Sequence, residues 1–147
     1  MPRRLDRQRQ FLAALHAADV GLVVLAGFDE ILLPDFVSTY RGRIINTHPS
    51  LLPAFGGSMH AVQQALAPGV KVTGCTLHLV TDDLDGGPIL VQRCVEVRDD
   101  DDAASLHDRI RAQEQVLLCE VVRAFAEDRV RLDGPRRARV LGVRPRP

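Results

Sequence analysis

Asn46 and His48 stand two residues apart at the end of the short run Arg43-Ile-Ile-Asn46. Residues i and i+2 of a strand project to one side, so an amide and an imidazole leave one strand end together. In an open α/β sheet, ligands sit at that end of the strands. Pro49 biases His48 toward an extended backbone. The same two residues also fit a turn-capping asparagine and an ordinary loop histidine, and spacing alone does not separate the readings. Asp85 lies in Asp82-Asp-Leu-Asp-Gly-Gly87. Asp-Gly is a turn signal, yet this loop is longer than a tight hairpin needs, and Leu84 interrupts the acids. That pattern predicts a loop folded inward. A carboxylate brought near His48 would favour the imidazolium and fix its tautomer.

Glu114 is the third candidate. On a helix over about 103–127, Leu106, Ile110, Leu117, Val121 and Phe125 share one stripe, and Glu114 falls about 80° from Leu106 at 100° per residue. A carboxylate on a buried stripe is either salt-bridged to a core arginine or faces a ligand with hydroxyl or amine donors. His60 and His78 are further candidates, and His78, inside a strand, fits a packed core histidine. No cluster has metal-ligand spacing, and no Walker-type or G-x-G-x-x-G loop is present.

The elements that must position these residues follow from periodicity. Residues 2–18 read as a helix with Leu5, Phe11, Leu12 and Leu15 on its apolar side. Residues 20–25 read as a strand covered on both faces. A short helix is expected around 34–40, a strand at 43–46, a short helix near 60–66, and two strands at 71–80 and 89–97 joined as a hairpin. Asp99–Asp102 reads as a solvated helix cap. Residues 134–147 carry five arginines and no acid, and read as a loosely held tail after a domain over 1–133. Strands alternating with helices predict a mainly parallel twisted α/β sheet flanked by helices, with one antiparallel excursion.

The 147 residues suffice for one domain. The 19 basic and 19 acidic residues balance, which argues against nucleic-acid or membrane-surface partners. No apolar run reaches the ~20 residues of a membrane span. Three widely spaced cysteines (Cys75, Cys94 and Cys119) fit neither a disulfide framework nor a zinc cluster, and are consistent with a reducing cytoplasm.

The stretch Asn46-Thr-His-Pro-Ser-Leu-Leu-Pro53, followed by Thr73-Gly-Cys-Thr-Leu-His-Leu-Val80 and Leu84-Asp-Gly-Gly-Pro88, resembles the folate-dependent formyltransferases. The likeness to phosphoribosylglycinamide formyltransferase is strongest and runs from about Leu5 to Leu132. Methionyl-tRNA formyltransferase and formyltetrahydrofolate deformylase look similar but less close; the deformylase usually lacks the proline after this histidine. The resemblance implies a Rossmann-like formyltransferase fold and transfer of a formyl group from 10-formyltetrahydrofolate, a cosubstrate, to the amine of glycinamide ribonucleotide in purine biosynthesis, without a metal. Asn46 would hydrogen-bond the developing oxyanion. His48 would polarise that oxygen or move a proton, and Asp85 would support the charged histidine. Glu114, with Pro49, would meet the ribonucleotide. Ile31, Leu32, Val80 and Leu84 would line the pterin pocket, with backbone groups reading the ring edge.

Two departures from the family pattern stand out. Asp29 and Glu30 occupy positions where Met-Arg is frequent. The family's N-terminal βαβ part, with its G-x-G-S-N phosphate loop, has no counterpart here, so an N-terminally truncated fold is expected. Such a chain leaves the strand at 20–25 with an open edge, and self-association into a homo-oligomer is expected from it. Two alternatives remain open: a non-catalytic folate-binding protein, and another folate-dependent formyltransferase or deformylase.

Overall fold

The computed structural model describes residues 2–143. Helix α1 (Pro2–Ala17) leads to strand β1 (Val23–Leu25), helix α2 (Pro34–Thr39) and strand β2 (Ile44–His48). Helix α3 (Ala61–Leu66) precedes the long hairpin β3 (Val72–Leu79) and β4 (Ile89–Glu96). Helix α4 (Ala103–Ala126) follows, then the short strands β5 (Val130–Leu132) and β6 (Ala138–Val140).

The main sheet has the order β1-β2-β3-β4. Only β1 and β2 are parallel; β2 with β3, and β3 with β4, are antiparallel. The expected mainly parallel sheet is therefore corrected to a mixed one. After β2 the chain returns through α3 and the 67–71 turn on a path that reverses its direction, so no βαβ crossover forms between β2 and β3. β1 is an edge strand, and Val24 at its centre is 36% exposed.

Both faces of the sheet are covered, which explains why β2 reads Ile-Ile without alternation. Ile45 packs with Cys75, Leu77, Leu79, Leu90 and Val95 against the α4 stripe of Leu106, Ile110, Leu117 and Val121. Ile44 joins a second cluster of Leu32, Phe36, Val37 and Tyr40, with Leu12 and Leu15 of α1 against it. Leu5 and Phe11, expected on the same side of α1, are instead exposed. The inward place on that helix goes to Gln8, which is fully buried. At the start of α4, Asp102 accepts from the Ser105 N–H, and the Ser105 hydroxyl accepts from the Asp102 N–H. The acidic run thus supplies a reciprocal cap.

Within the expected loose tail over 134–147, the described part is not loose at 138–140. β6 pairs antiparallel with β5, the turn contains Gly134 at φ 83°, and Arg139 ion-pairs with Asp133. Val130, Ala138 and Val140 pack on the α4 cluster. Residues 144–147 of the expected tail lie outside the described residues.

The loop between β3 and β4 folds back tightly on the end of β3. The Leu79 N–H donates to the Pro88 carbonyl at 2.9 Å. A Cβ on Gly87 would stand 1.8 Å from the Leu79 carbonyl oxygen, so only glycine permits this approach. Gly87→Ala must push the loop away from β3. The expected outcome is a loss of about 1–3 kcal/mol in chemical denaturation, the usual cost of overpacking. Unchanged stability would contradict the close approach.

Candidate active site

The antiparallel register of β2 on β3 sets Asn46 opposite His78 and His48 opposite Thr76. Facing residues of an antiparallel pair share one side of the sheet, so two polar residues from each strand meet on one surface. Asp85 reaches that surface from the β3–β4 loop, in a left-handed conformation with φ 52° that aspartate tolerates better than most residues.

The geometry centres on this carboxylate. Asp85 Oδ2 lies 3.4 Å from His48 Nδ1, and Oδ1 lies 3.5 Å from His78 Nε2. All three side chains are at least nine-tenths buried. Asp85 Oδ2 also accepts from the Gly57 N–H at 2.7 Å. His78 and, to a lesser degree, the Gly57 N–H and His48 hold the Asp85 carboxyl below its ordinary range, against the opposing effect of burial. His78 Nδ1 sits 3.1 Å from the Leu79 carbonyl oxygen and therefore carries a proton there. Its Nε2 lies 3.4 Å from Asn46 Nδ2. Neutral, that nitrogen accepts from Asn46; protonated, it donates to Asp85.

His48 Nε2 lies 3.0 Å from the Phe55 carbonyl oxygen. Both His48 nitrogens thus face acceptors, and only the doubly protonated ring donates to both. The loop that supplies Phe55 and Gly57 is anchored just after His48. Thr76 Oγ1 donates to the Ser50 carbonyl at 2.7 Å and accepts from the Leu52 N–H at 3.0 Å. Gln92 Nε2 donates to Thr76 Oγ1 and to the Leu52 carbonyl, both at 2.9 Å. A cavity of about 550 Å³ opens beside this loop, lined by Leu52, Pro53, Asp85, Ile89, Arg136 and Arg137 among others.

Of the candidates drawn from the sequence, Asn46, His48 and Asp85 are brought together. Spacing did not place His78 among them. The signal was its shared alternation with Thr76, which becomes informative only once β2 and β3 are known to run antiparallel. Pro49 follows His48 at the strand end, half-buried. Leu32 and Val80 belong to one cluster, whereas Ile31 and Leu84 are 60% and 55% exposed. His60 caps α3 without a side-chain bond. Among the described residues, no group of three or more His, Cys, Asp or Glu could hold a metal ion, and no helix is long and apolar enough to cross a membrane.

Glu114 is not hydrogen-bonded or ion-paired to the Asn46–His48–Asp85 group. It lies half-buried on α4; among the described residues no ion pair within 4.0 Å involves it, and Arg111 acts on it only as a nearby charge that burial outweighs. Burial pushes its carboxyl above the ordinary value of 4.5. Its charge, after burial itself, helps push the Cys75 thiol up to about 12. A carboxyl raised on folding contributes stability that is complete below its unfolded value and lost as pH rises through its folded value. Glu114→Gln carries no charge to desolvate. It should therefore melt higher than the parent chain at pH 7, and the difference should vanish as pH falls below 4.5. A variant less stable at pH 7 would point to a structural partner for the carboxylate.

Comparison with known proteins places this geometry in a family. The formyl transferase family model matches residues 1–122. Phosphoribosylglycinamide formyltransferase of Mycobacterium tuberculosis (strain ATCC 25618 / H37Rv) is 52% identical over 122 residues, covering 83% of this chain and 56% of that protein. Formyltetrahydrofolate deformylase of Bacillus subtilis (strain 168) is 42% identical over 127 residues, covering 86% of this chain and 42% of that protein. The crystal structure of phosphoribosylglycinamide formyltransferase from Anaplasma phagocytophilum superposes with a TM-score of 0.87 at 43% identity, over 92% of this chain and 66% of that one. The chain spans about half the length of the curated relatives it matches. Taken with the mixed sheet and the residues gathered at its β2 end, these matches show that the chain belongs to the formyl transferase family.

Proposed function

We propose that this chain carries the formyl-transfer centre of a glycinamide ribonucleotide formyltransferase that uses 10-formyltetrahydrofolate as cosubstrate. The observation that carries the reading is the meeting of Asn46, His48 and Asp85 at the C-terminal end of β2. Attack of the substrate amine on the formyl carbon places negative charge on the formyl oxygen. Asn46 Nδ2 is one donor for that oxygen, and His48 becomes the second when its Nε2–H turns from the Phe55 carbonyl to the ligand, in a site where burial strengthens each contact. Asp85 orients the His48 ring through Nδ1. As the tetrahedral centre collapses, the bond from carbon to N10 of the folate breaks. The proton released by the amine replaces it on N10, with His48 and solvent as carriers. Glu114, held toward its neutral form by burial, is the group offered to the ribonucleotide, and Pro49 is assigned to the same ligand. Leu32 and Val80, with Ile31 and Leu84 at the surface, form the folate side.

A second reading, formyl transfer to water, is favoured by the likeness to deformylases. It uses the same oxyanion donors and differs only in the acceptor. Incubating the chain with 10-formyltetrahydrofolate, with and without glycinamide ribonucleotide, separates the two: formylated ribonucleotide supports transfer, and formate alone supports hydrolysis.

Asn46→Ala and His48→Ala should each lower turnover by about 10²–10³, the usual cost of one oxyanion donor, with tetrahydrofolate affinity nearly unchanged in calorimetry. Turnover near that of the parent chain in either variant would remove the residue from the mechanism.

A further inference from the structure

The fully buried carboxamide of Gln8 lies outside the cluster around Asp85 and grips a different segment. Its Nε2 donates to the Ile31 carbonyl at 3.1 Å, and its Oε1 accepts from the Leu33 N–H at 2.8 Å. In extended backbone, the C=O of residue i and the N–H of residue i+2 lie on one edge, and both groups of residue i+1 lie on the other. Leu33 is extended, at φ −71° and ψ 150°. Gln8 therefore occupies the inner edge of this segment as a neighbouring strand would. The Leu32 N–H and C=O, on the outer edge, have no protein partner among the described residues. The Leu32 side chain is anchored in the α2 cluster, so the segment cannot roll about its axis. Arg4 also donates to the Ile31 carbonyl, and Arg7 pairs with Glu30, which ties the same segment to α1.

We infer that Gln8 is a positioning residue for the folate site: by filling the inner edge at Ile31 and Leu33, it presents the Leu32 N–H and C=O as one donor and one acceptor to a heterocycle. This inference rests on the folate reading above. A carboxamide is the side-chain group that fits. It offers a donor and an acceptor in one plane, whereas a carboxylate only accepts and would leave the Ile31 carbonyl to Arg4 alone. A flat ring with an adjacent donor and acceptor, such as the aminopyrimidinone edge of a pterin, is the complementary ligand.

The test uses the whole chain, tetrahydrofolate as probe, and amide NMR. In the parent chain, the Leu32 amide resonance should move on addition of tetrahydrofolate. In Gln8→Leu it should not move, and the dissociation constant should rise about tenfold or more, the equivalent of one lost hydrogen bond of about 1.4 kcal/mol. The amide resonances of α4 report that the variant remains folded. Gln8→Glu keeps the acceptor for Leu33 and loses the donor to Ile31, so its dissociation constant should lie between the two; it also serves if Gln8→Leu does not fold. An equal Leu32 response and affinity in the parent chain and the variants would overturn the role of Gln8. A parent chain in which no resonance responds to tetrahydrofolate would overturn the folate reading itself, and the inference with it.

Discussion

The structure depends on one buried carboxylate shared by two imidazoles. Asp85 taken out of water would normally hold its proton, because burial disfavours the charged form. Here His48 lies on one oxygen, His78 on the other, and the Gly57 N–H beside the first, and their combined effect wins over burial. Removing Asp85 leaves the buried His48 Nδ1 and the Gly57 N–H without their partner, which costs more than the lost contact alone.

Three separate parts of the chain have to agree for that arrangement to exist. The antiparallel register of β2 and β3 puts His78 beside Asn46. The close approach at Gly87 lets the acidic loop turn back over the end of β3. The Thr76 hydroxyl, bonded to Ser50, Leu52 and Gln92, fixes the stretch after His48, from which Phe55 and Gly57 reach in. The two apolar clusters hold the sheet between them, so the polar groups sit on a stiff platform. Such a site meets a reacting oxygen with donors already aimed, and little reorganisation accompanies the reaction.

Much of this was legible in the sequence. The α4 stripe, its acidic cap, the β3–β4 hairpin and the two-residue spacing of Asn46 and His48 all follow from local periodicity and emerge close to expectation. The Asp85 loop does turn inward, but through its carboxylate: Leu84, the residue that suggested the fold, is 55% exposed. What was not legible is non-local. An apolar Ile-Ile pair marks a strand covered on both faces but carries no direction, so the sheet reads as mainly parallel when two of its three pairings are antiparallel. Without that direction, His78 reads as a packed core histidine rather than the neighbour of Asn46. Gln8, in a polar run of α1, gives no sign that it is buried, because its partners are backbone groups some 25 residues away. The hairpin of β5 and β6 was hidden by its arginines, one of which closes the turn by pairing with Asp133.

The most direct measurement is a pH titration of the Asp85 carboxyl carbon by NMR in the intact chain. The account predicts a midpoint below the ordinary aspartate value of 3.8, rising when His78 is replaced by phenylalanine, since His78 is the largest of the lowering influences. A midpoint at or above 3.8 in the parent chain, unmoved by that replacement, would show that burial governs the carboxylate. It would contradict the shared carboxylate on which the site is built.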